Sequence, residues 1–332
     1  MPQHDASTNQ FVSTPTLAVD LGGTNARAAA VTVEGVIVAR KHVLTRAQRG
    51  LDEILDRVAE AVAGVAEAAR LPADTPVGVV LPGAINSATG FLSFAPNLGL
   101  HNLPIRDHLE QRLGRRVALG NDVNAGAIGE WRYGAGRGAR DLIYIACGTG
   151  VGGGIIVDGR LLQGRGGMAG EVGHMVVALD GPRCHCGGRG CLEAFVGGWA
   201  IEAAAQELLD RGVPSLLTEL METRGERLSG ALINHAAGHD DGLSIEVLAR
   251  AGRALGFAVA SLVHLFNPEV VIVGGGVSAA NEFLFGPMRE AVDEHLIKAF
   301  ADDLRILPAA LGQDAGLIGA AALALDLGDV PR

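Results

Sequence analysis

Apolar residues follow two periods along the chain, and the switches between them mark out the elements. Three continuous apolar runs lead into glycine clusters: Thr16–Val31 (TLAVDLGGTNARAAAV), Leu142–Val157 (LIYIACGTGVGGGIIV) and Val270–Ser278 (VVIVGGGVS). The first two read as strand, tight glycine turn, strand, which is a hairpin rather than a strand feeding a helix. A shift of 126 positions lays one on the other, Gly22 on Gly148 and Gly23 on Thr149. That match predicts an internal repeat with one copy in each of two lobes. A helical period appears over Leu51–Ala69, Ile201–Leu209 and Ser244–Phe266, the last stopped by Pro268. Val77–Leu81 and Val117–Leu119 read as short buried strands. Strands alternating with helices predict an α/β protein. Arg211–Gly242 reads as helix plus loop without evident chemistry.

Composition narrows the picture. A chain of 332 residues is long enough for two domains or lobes, each with its own core. Its 48% hydrophobic content excludes an intrinsically disordered chain. The 48 glycines cluster instead of recurring every third residue, which excludes collagen. A net charge of −10 argues against a nucleic-acid partner held by cationic patches. Mean hydropathy is positive, +0.27, yet the longest apolar stretch, Ala254–Val277, is interrupted by His264, Asn267, Pro268 and Glu269, so no membrane span is expected. Met1–Thr16 is polar and lacks a signal-peptide core; residues 1–15 are expected to be a disordered tail and the protein cytoplasmic.

The glycine loops bear on ligands. Gly148-x-Gly150-x-x-Gly153 and Gly274-x-Gly276-x-x-Ala279 match the dinucleotide fingerprint or its relaxed form, but that fingerprint needs strand, turn, then helix. The first continues into Ile155-Ile156-Val157, and the second has only about 55 residues after it. A nicotinamide enzyme is therefore disfavoured, and no Gly-Lys pair exists for a Walker loop. Two hairpin turns can instead grip a polyphosphate from two sides through exposed backbone N–H groups. Gly22, Gly23 and Gly150 supply the turns, Thr24, Asn25 and Thr149 side-chain donors. Asp20, at its strand's end, would orient Mg²⁺ through water; its counterpart in the repeat is Ala146.

Of four cysteines, Cys184, Cys186 and Cys191 fall within eight residues, too cramped for a disulfide framework. With His174 they make a Cys₃His set, the composition of a closed structural zinc site. His185, flanked by chelating cysteines, is expected to point away. Glu171 and Glu193 flank the knot. Any one carboxylate is commonly a solvated surface group, but carboxylates held still by a metal-rigidified loop suit binding of adjacent hydroxyls. His174 can bind zinc through one nitrogen and offer the other to a hydroxyl. Before the next helical segment stands Asn121-Asp122. Asp122 reads either as a helix N-cap or as the general base of phosphoryl transfer.

Together, Asp20-Leu-Gly-Gly-Thr-Asn25, Asn121-Asp122, Gly148-Thr-Gly-Val-Gly-Gly153, Glu171-Val-Gly-His174, the cysteine signature ending in Cys191-Leu-Glu193, and Gly274-Gly-Gly-Val277 resemble the ROK family (repressors, open reading frames and sugar kinases) of the actin/hexokinase-like ATPase superfamily. The likeness runs from about residue 16 to 325. It implies a two-lobed actin-like ATPase (ribonuclease H-like) α/β fold with a duplicated core and an interlobe cleft. The expected small lobe is 16–124, completed by a C-terminal helix 315–328; the large lobe is 125–314, with the zinc loop at 174–191. The resemblance assigns Asp122 as catalytic base and Asn97, Asn121, Asp122, Glu171, His174 and Glu193 as sugar ligands. It assigns Gly275 and Gly276 to an adenosine loop. The family's repressors carry an N-terminal helix-turn-helix; here the first strand begins near residue 16, so a kinase is expected. The unbroken cysteine run and Trp131-Arg-Tyr-Gly-Ala-Gly-Arg137 are similar to the branch phosphorylating the 6-hydroxyl of glucose with ATP, and a homodimer or dimer of dimers is expected. Another hexose, inorganic polyphosphate as donor, or a sensor that binds sugar without turnover remain alternatives.

Overall fold

The computed structural model describes residues 14–328, so the expected tail lies, up to residue 13, outside the described residues. The first half of the chain runs β1 (Thr16–Leu21), β2 (Asn25–Val31), β3 (Ile37–Leu44), α1 (Leu51–Ala68), β4 (Val77–Leu81), β5 (Ala84–Asn86), β6 (Phe91–Ala95), β7 (Leu100–Leu103), α2 (Ile105–Leu113) and β8 (Val117–Asn121). Helix α3 (Asp122–Tyr133) leads into β9 (Leu142–Cys147), β10 (Val151–Val157), β11 (Arg160–Leu161), α4 (Glu193–Val196), α5 (Gly198–Asp210), α6 (Leu216–Arg224), α7 (Gly230–Ala237) and α8 (Gly242–Phe266). The chain then forms β12 (Val270–Gly274), α9 (Glu282–His295), β13 (Arg305–Pro308) and α10 (Ala315–Gly328).

Two five-stranded sheets share one topology, β3-β2-β1-β4-β8 and β11-β10-β9-β12-β13. In each, an antiparallel hairpin is extended by two parallel strands. The bounds of β9 and β10 lie 126 residues beyond those of β1 and β2, as the repeat predicts. The pairing differs by one residue. Leu21 faces Ala26, whereas Cys147 faces Val151 and not Gly152. The first turn closes with Gly22 N–H on Asn25 O, the second with Gly148 N–H on Gly150 O, both 2.9 Å. The second hairpin is thus the tighter, because its turn is one residue shorter.

Alternate faces of each sheet bury different helices, as strand periodicity requires. On the first sheet, Leu17, Val19, Val77 and Val79 pack with Ile54, Val58 and Val62 of α1. Ala18 and Val80 pack with Leu317, Ile318 and Ala321 of α10. Helix α10 is apolar on nearly every side, which suits a helix buried between neighbours; although last in the chain, it lies against β1, β4 and β8. In the second sheet Ile143, Ile145, Val271 and Val273 face α8 and α9, while Leu142, Tyr144 and Ile272 face Ala127 of α3. The chain crosses between sheets at Asn121–Asp122, so the division expected at 124/125 falls inside α3, which packs on β9 and β10. Arg211–Gly242 contains two helices, α6 and α7. Among the described residues no helix is long and apolar enough to cross a membrane.

Candidate active site

Strand β8 ends at Asn121, and the start of the next helix shows which residue caps it. The N-cap is Asn121: its Oδ1 accepts from Val123 N–H at 2.9 Å and Asn124 N–H at 3.0 Å. Its Nδ2 donates to Gly83 O at 3.3 Å. Asp122 is the first helical residue and does not have to cap. Its Oδ1 accepts from Val123 N–H at 2.9 Å, yet its pKa is raised from 3.8 to about 6, first by burial and then by the charge of Asp20. Burial disfavours the ionised carboxylate, and a like charge adds to that. The result is a carboxyl group poised to exchange a proton near neutral pH.

The cysteine knot forms as its spacing predicts. His174, Cys184, Cys186 and Cys191 bring one ligand atom each within 4.8 Å of one another. Tetrahedral zinc with Zn–S bonds of about 2.3 Å places its sulfurs about 3.8 Å apart. Here Cys186 Sγ lies 3.7 Å from Cys191 Sγ, and His174 Nδ1 lies 3.9 Å from Cys184 Sγ. The donor set fits Zn²⁺ in type, number and spacing. Gly188 N–H, 3.5 Å from Cys186 Sγ, holds that thiol below its usual range. His185 stays out of the set and stacks on Trp199, ring centres 4.0 Å apart. Cys147 is buried in β9, where burial pushes its thiol up to about 12.

His174 Nδ1 is the ring nitrogen turned towards Cys184, and its Nε2 lies 4.0 Å from Glu171 Oε2. Glu193 Oε2 accepts from Val151 N–H at 3.0 Å, while its Oε1 lies 3.7 Å from Cys184 Sγ. A methyl group at 150 would lie 2.5 Å from Glu193 Oε2, so any larger residue there must displace that carboxylate. The glycine turn, the knot and the carboxylate are thus one packed unit. A cavity of about 730 Å³ is lined by all six residues assigned to sugar: Asn97, Asn121, Asp122, Glu171, His174 and Glu193. Thr149 and Gly150 also line it.

A second cavity of about 740 Å³ shares Gly148, Thr149 and Trp199 with the first. Gly276 lines it, as do Glu202, Gly230 and Asn234. The segment 211–242, which shows no chemistry in sequence, therefore contributes Gly230, Ala231 and Asn234 to a cavity wall. Asp20, Gly22, Gly23, Thr24, Asn25 and Gly275 line neither cavity. Asp20 pairs with Arg27. The glycine turn nevertheless abuts the first cavity, because a methyl group on Gly23 would lie 2.5 Å from Asn97 O.

Four contributors escape a sequence reading. Arg27 is a lone charge in an alanine-rich strand, and that misfit is its only signal. Thr45, fully buried, donates its hydroxyl to Gly22 O at 2.7 Å and its N–H to Thr24 O at 2.8 Å; it fixes the first turn from a separate strand end. Asn234 Nδ2 donates to Ala279 O at 3.0 Å, and Trp199 forms the wall between cavities. These last depend on helix packing and leave no local signature.

Duplicated sheets flanking a pair of adjoining cavities define a two-lobed actin-like ATPase fold. The ROK family model matches residues 16–327, and the chain belongs to the ROK family. It is 38% identical to the glucokinase of Thermotoga maritima over 92% of this chain and 96% of that one. A solved ROK family glucokinase from Streptomyces griseus, in complex with glucose and AMPPNP, is 37% identical with a TM-score of 0.82, covering 94% of this chain and 99% of that one. A ROK family transcriptional regulator, a homologue of the E. coli MLC protein, has a TM-score of 0.85 at 29% identity, covering 94% of this chain and 78% of that one.

Proposed function

We propose that the protein is a hexokinase-type sugar kinase that transfers the γ-phosphoryl group of ATP to the 6-hydroxyl of glucose. The observation that carries this reading is Asp122: a carboxyl group with pKa raised to about 6, on the wall of a cavity that also holds Glu171, His174 and Glu193. Glu171, Glu193 and the outward nitrogen of His174 accept from and donate to ring hydroxyls, and the zinc knot keeps them from moving. Asn121 and Asn97 hold the sugar's far side. Asp122 takes the 6-hydroxyl proton as the bond to phosphorus forms.

The second cavity suits a nucleotide in size, and its wall of Gly148, Thr149, Gly230 and Gly276 lets a ligand approach the backbone closely. The turn at Gly22–Asn25 would hold the phosphates from the other lobe. Bound Mg²⁺ would neutralise charge on the transferring group, with Asp20 orienting it through water. Relatives named glucokinase favour glucose. We also propose a cytoplasmic homodimer: Leu265 and Ile297, exposed at 71% and 60%, adjoin the shallow groove of His264 and His295.

A coupled assay of several hexoses against ATP and inorganic polyphosphate tests the reading. Turnover of glucose with ATP is expected at the highest kcat/KM. Tight glucose binding without turnover would establish the sensor alternative instead.

A further inference from the structure

Glu130 lies on the far half of α3, the helix that begins with Asp122. Its side chain is fully buried, at 0% exposure, and its oxygens are filled by backbone N–H groups from two places. Oε2 accepts from Ala135 at 2.9 Å and from Ala310 at 3.1 Å; Oε1 accepts from Leu311 at 2.7 Å. A buried carboxylate is costly unless its lone pairs are satisfied, and here the satisfaction joins distant segments. Ala310 and Leu311 lie on the linker from β13, in the large lobe, to α10, which packs on the small-lobe sheet.

Among the described residues the chain passes between the lobes at Asn121–Asp122 and at this linker. Helices α3 and α10 meet between them at close range. A methyl group on Gly319 would lie 1.7 Å from Ala125 O, and one on Gly129 would lie 2.4 Å from Ala315 O. The N-terminus of α10 reaches the reacting centre: a methyl group on Gly316 would lie 3.5 Å from Asp122 O and 3.7 Å from Asp20 Oδ2. The clamped residues stand only five and six positions before Gly316.

We infer that Glu130 is a positioning residue for phosphoryl transfer: it pins the second interlobe crossing to the helix bearing Asp122 and so sets where the lobe carrying Asp20 sits relative to that base. The pivot then lies beyond Leu311, where α10 turns on α3 over their glycine contacts. Sugar affinity depends mainly on Glu171, His174 and Glu193, which do not rely on the clamp. The clamp therefore affects kcat more than binding. This inference rests on the kinase reading.

Glu130→Gln tests it. The amide keeps the shape but has one acceptor oxygen, so at least one of the three N–H groups faces another donor. The expected result is a kcat at least tenfold lower, with calorimetric glucose Kd changed less than threefold and binding stoichiometry still one. Preserved stoichiometry separates mispositioning from a misfolded fraction. Arg132→Ala, which cuts the 2.8–2.9 Å pair to Asp326 between the same helices and leaves the linker alone, is expected to keep kcat within twofold. A normal kcat in Glu130→Gln, or an equal loss in Arg132→Ala, would overturn the inference. If the Gln variant does not fold, hydrogen exchange on the wild type decides: the Ala310 and Leu311 amides are expected to stay protected with and without glucose, while residues 312–316 change. Fast exchange at Ala310 and Leu311 would equally overturn it. A wild type that binds glucose without turnover would instead remove the kinase reading beneath it, and the exchange pattern would still report on the clamp.

Discussion

Replacing Asp122 by Asn is expected to make the protein more stable and far less active. The carboxyl is raised from 3.8 to about 6, and at 1.36 kcal/mol per pH unit that step costs the folded state about 3 kcal/mol once Asp122 is ionised. For an acid raised on folding, the folded state binds the extra proton. Stability from this group is therefore complete below pH ~4 and declines as pH rises towards 6. Asn carries no charge to desolvate and keeps the shape. Linkage puts its advantage over the wild type at roughly 2 kcal/mol at pH 5 and roughly 3 kcal/mol at pH 8, so the advantage grows as pH rises through the range between the two pKa values. Urea unfolding of both proteins at several pH values measures it, and comparing them at equal pH removes the contribution of the other groups. In the same variant kcat should fall at least about a hundredfold, with glucose Kd changed less than about tenfold. The wild-type kcat/KM profile should show an acid limb near pH 6. A stability difference that does not change with pH, or a well-folded variant with near-normal kcat, would refute the assignment.

One zinc per chain should survive dialysis and be lost in Cys186→Ser, with weaker glucose binding because Glu171, His174 and Glu193 lose their scaffold; a metal-free preparation with full activity would contradict this. Gly150→Ala should displace the Glu193 carboxylate and raise glucose KM about tenfold, the equivalent of one charge-assisted hydrogen bond; steady-state kinetics checks it, and an unchanged KM would remove Glu193 from the sugar contacts. Small-angle scattering should show a smaller radius of gyration with glucose bound, since transfer requires a cleft that excludes water; no change at saturating sugar would count against closure. Leu265→Asp should shift the protein towards monomer in sedimentation velocity; an unchanged sedimentation coefficient would remove the proposed dimer face.

Local chemistry made much of this protein legible before folding. Glycine turns between short apolar runs mark hairpins, so the positions of β1, β2, β9 and β10 are legible in sequence. Helix α8 was marked by its apolar period and by Pro268. The Cys₃His knot was readable because its ligands lie within eighteen residues of one another and a metal selects donor type and spacing directly. Tertiary structure decided what depends on residues distant in sequence. That Asn121 and not Asp122 caps α3, and that burial beside Asp20 raises the Asp122 carboxyl, exist only in the folded chain. The one-residue slip between the two hairpins follows from turn closure, which composition does not encode. Asn234, Trp199 and Thr45 entered the site through packing between elements. Glu130 reads in sequence as an ordinary helix carboxylate; its role arises only when a linker 180 residues away folds back to fill its lone pairs. Periodicity and short-range chemistry fix elements and nearby ligands, whereas burial, close approach and long-range hydrogen bonding exist only once the chain has closed on itself.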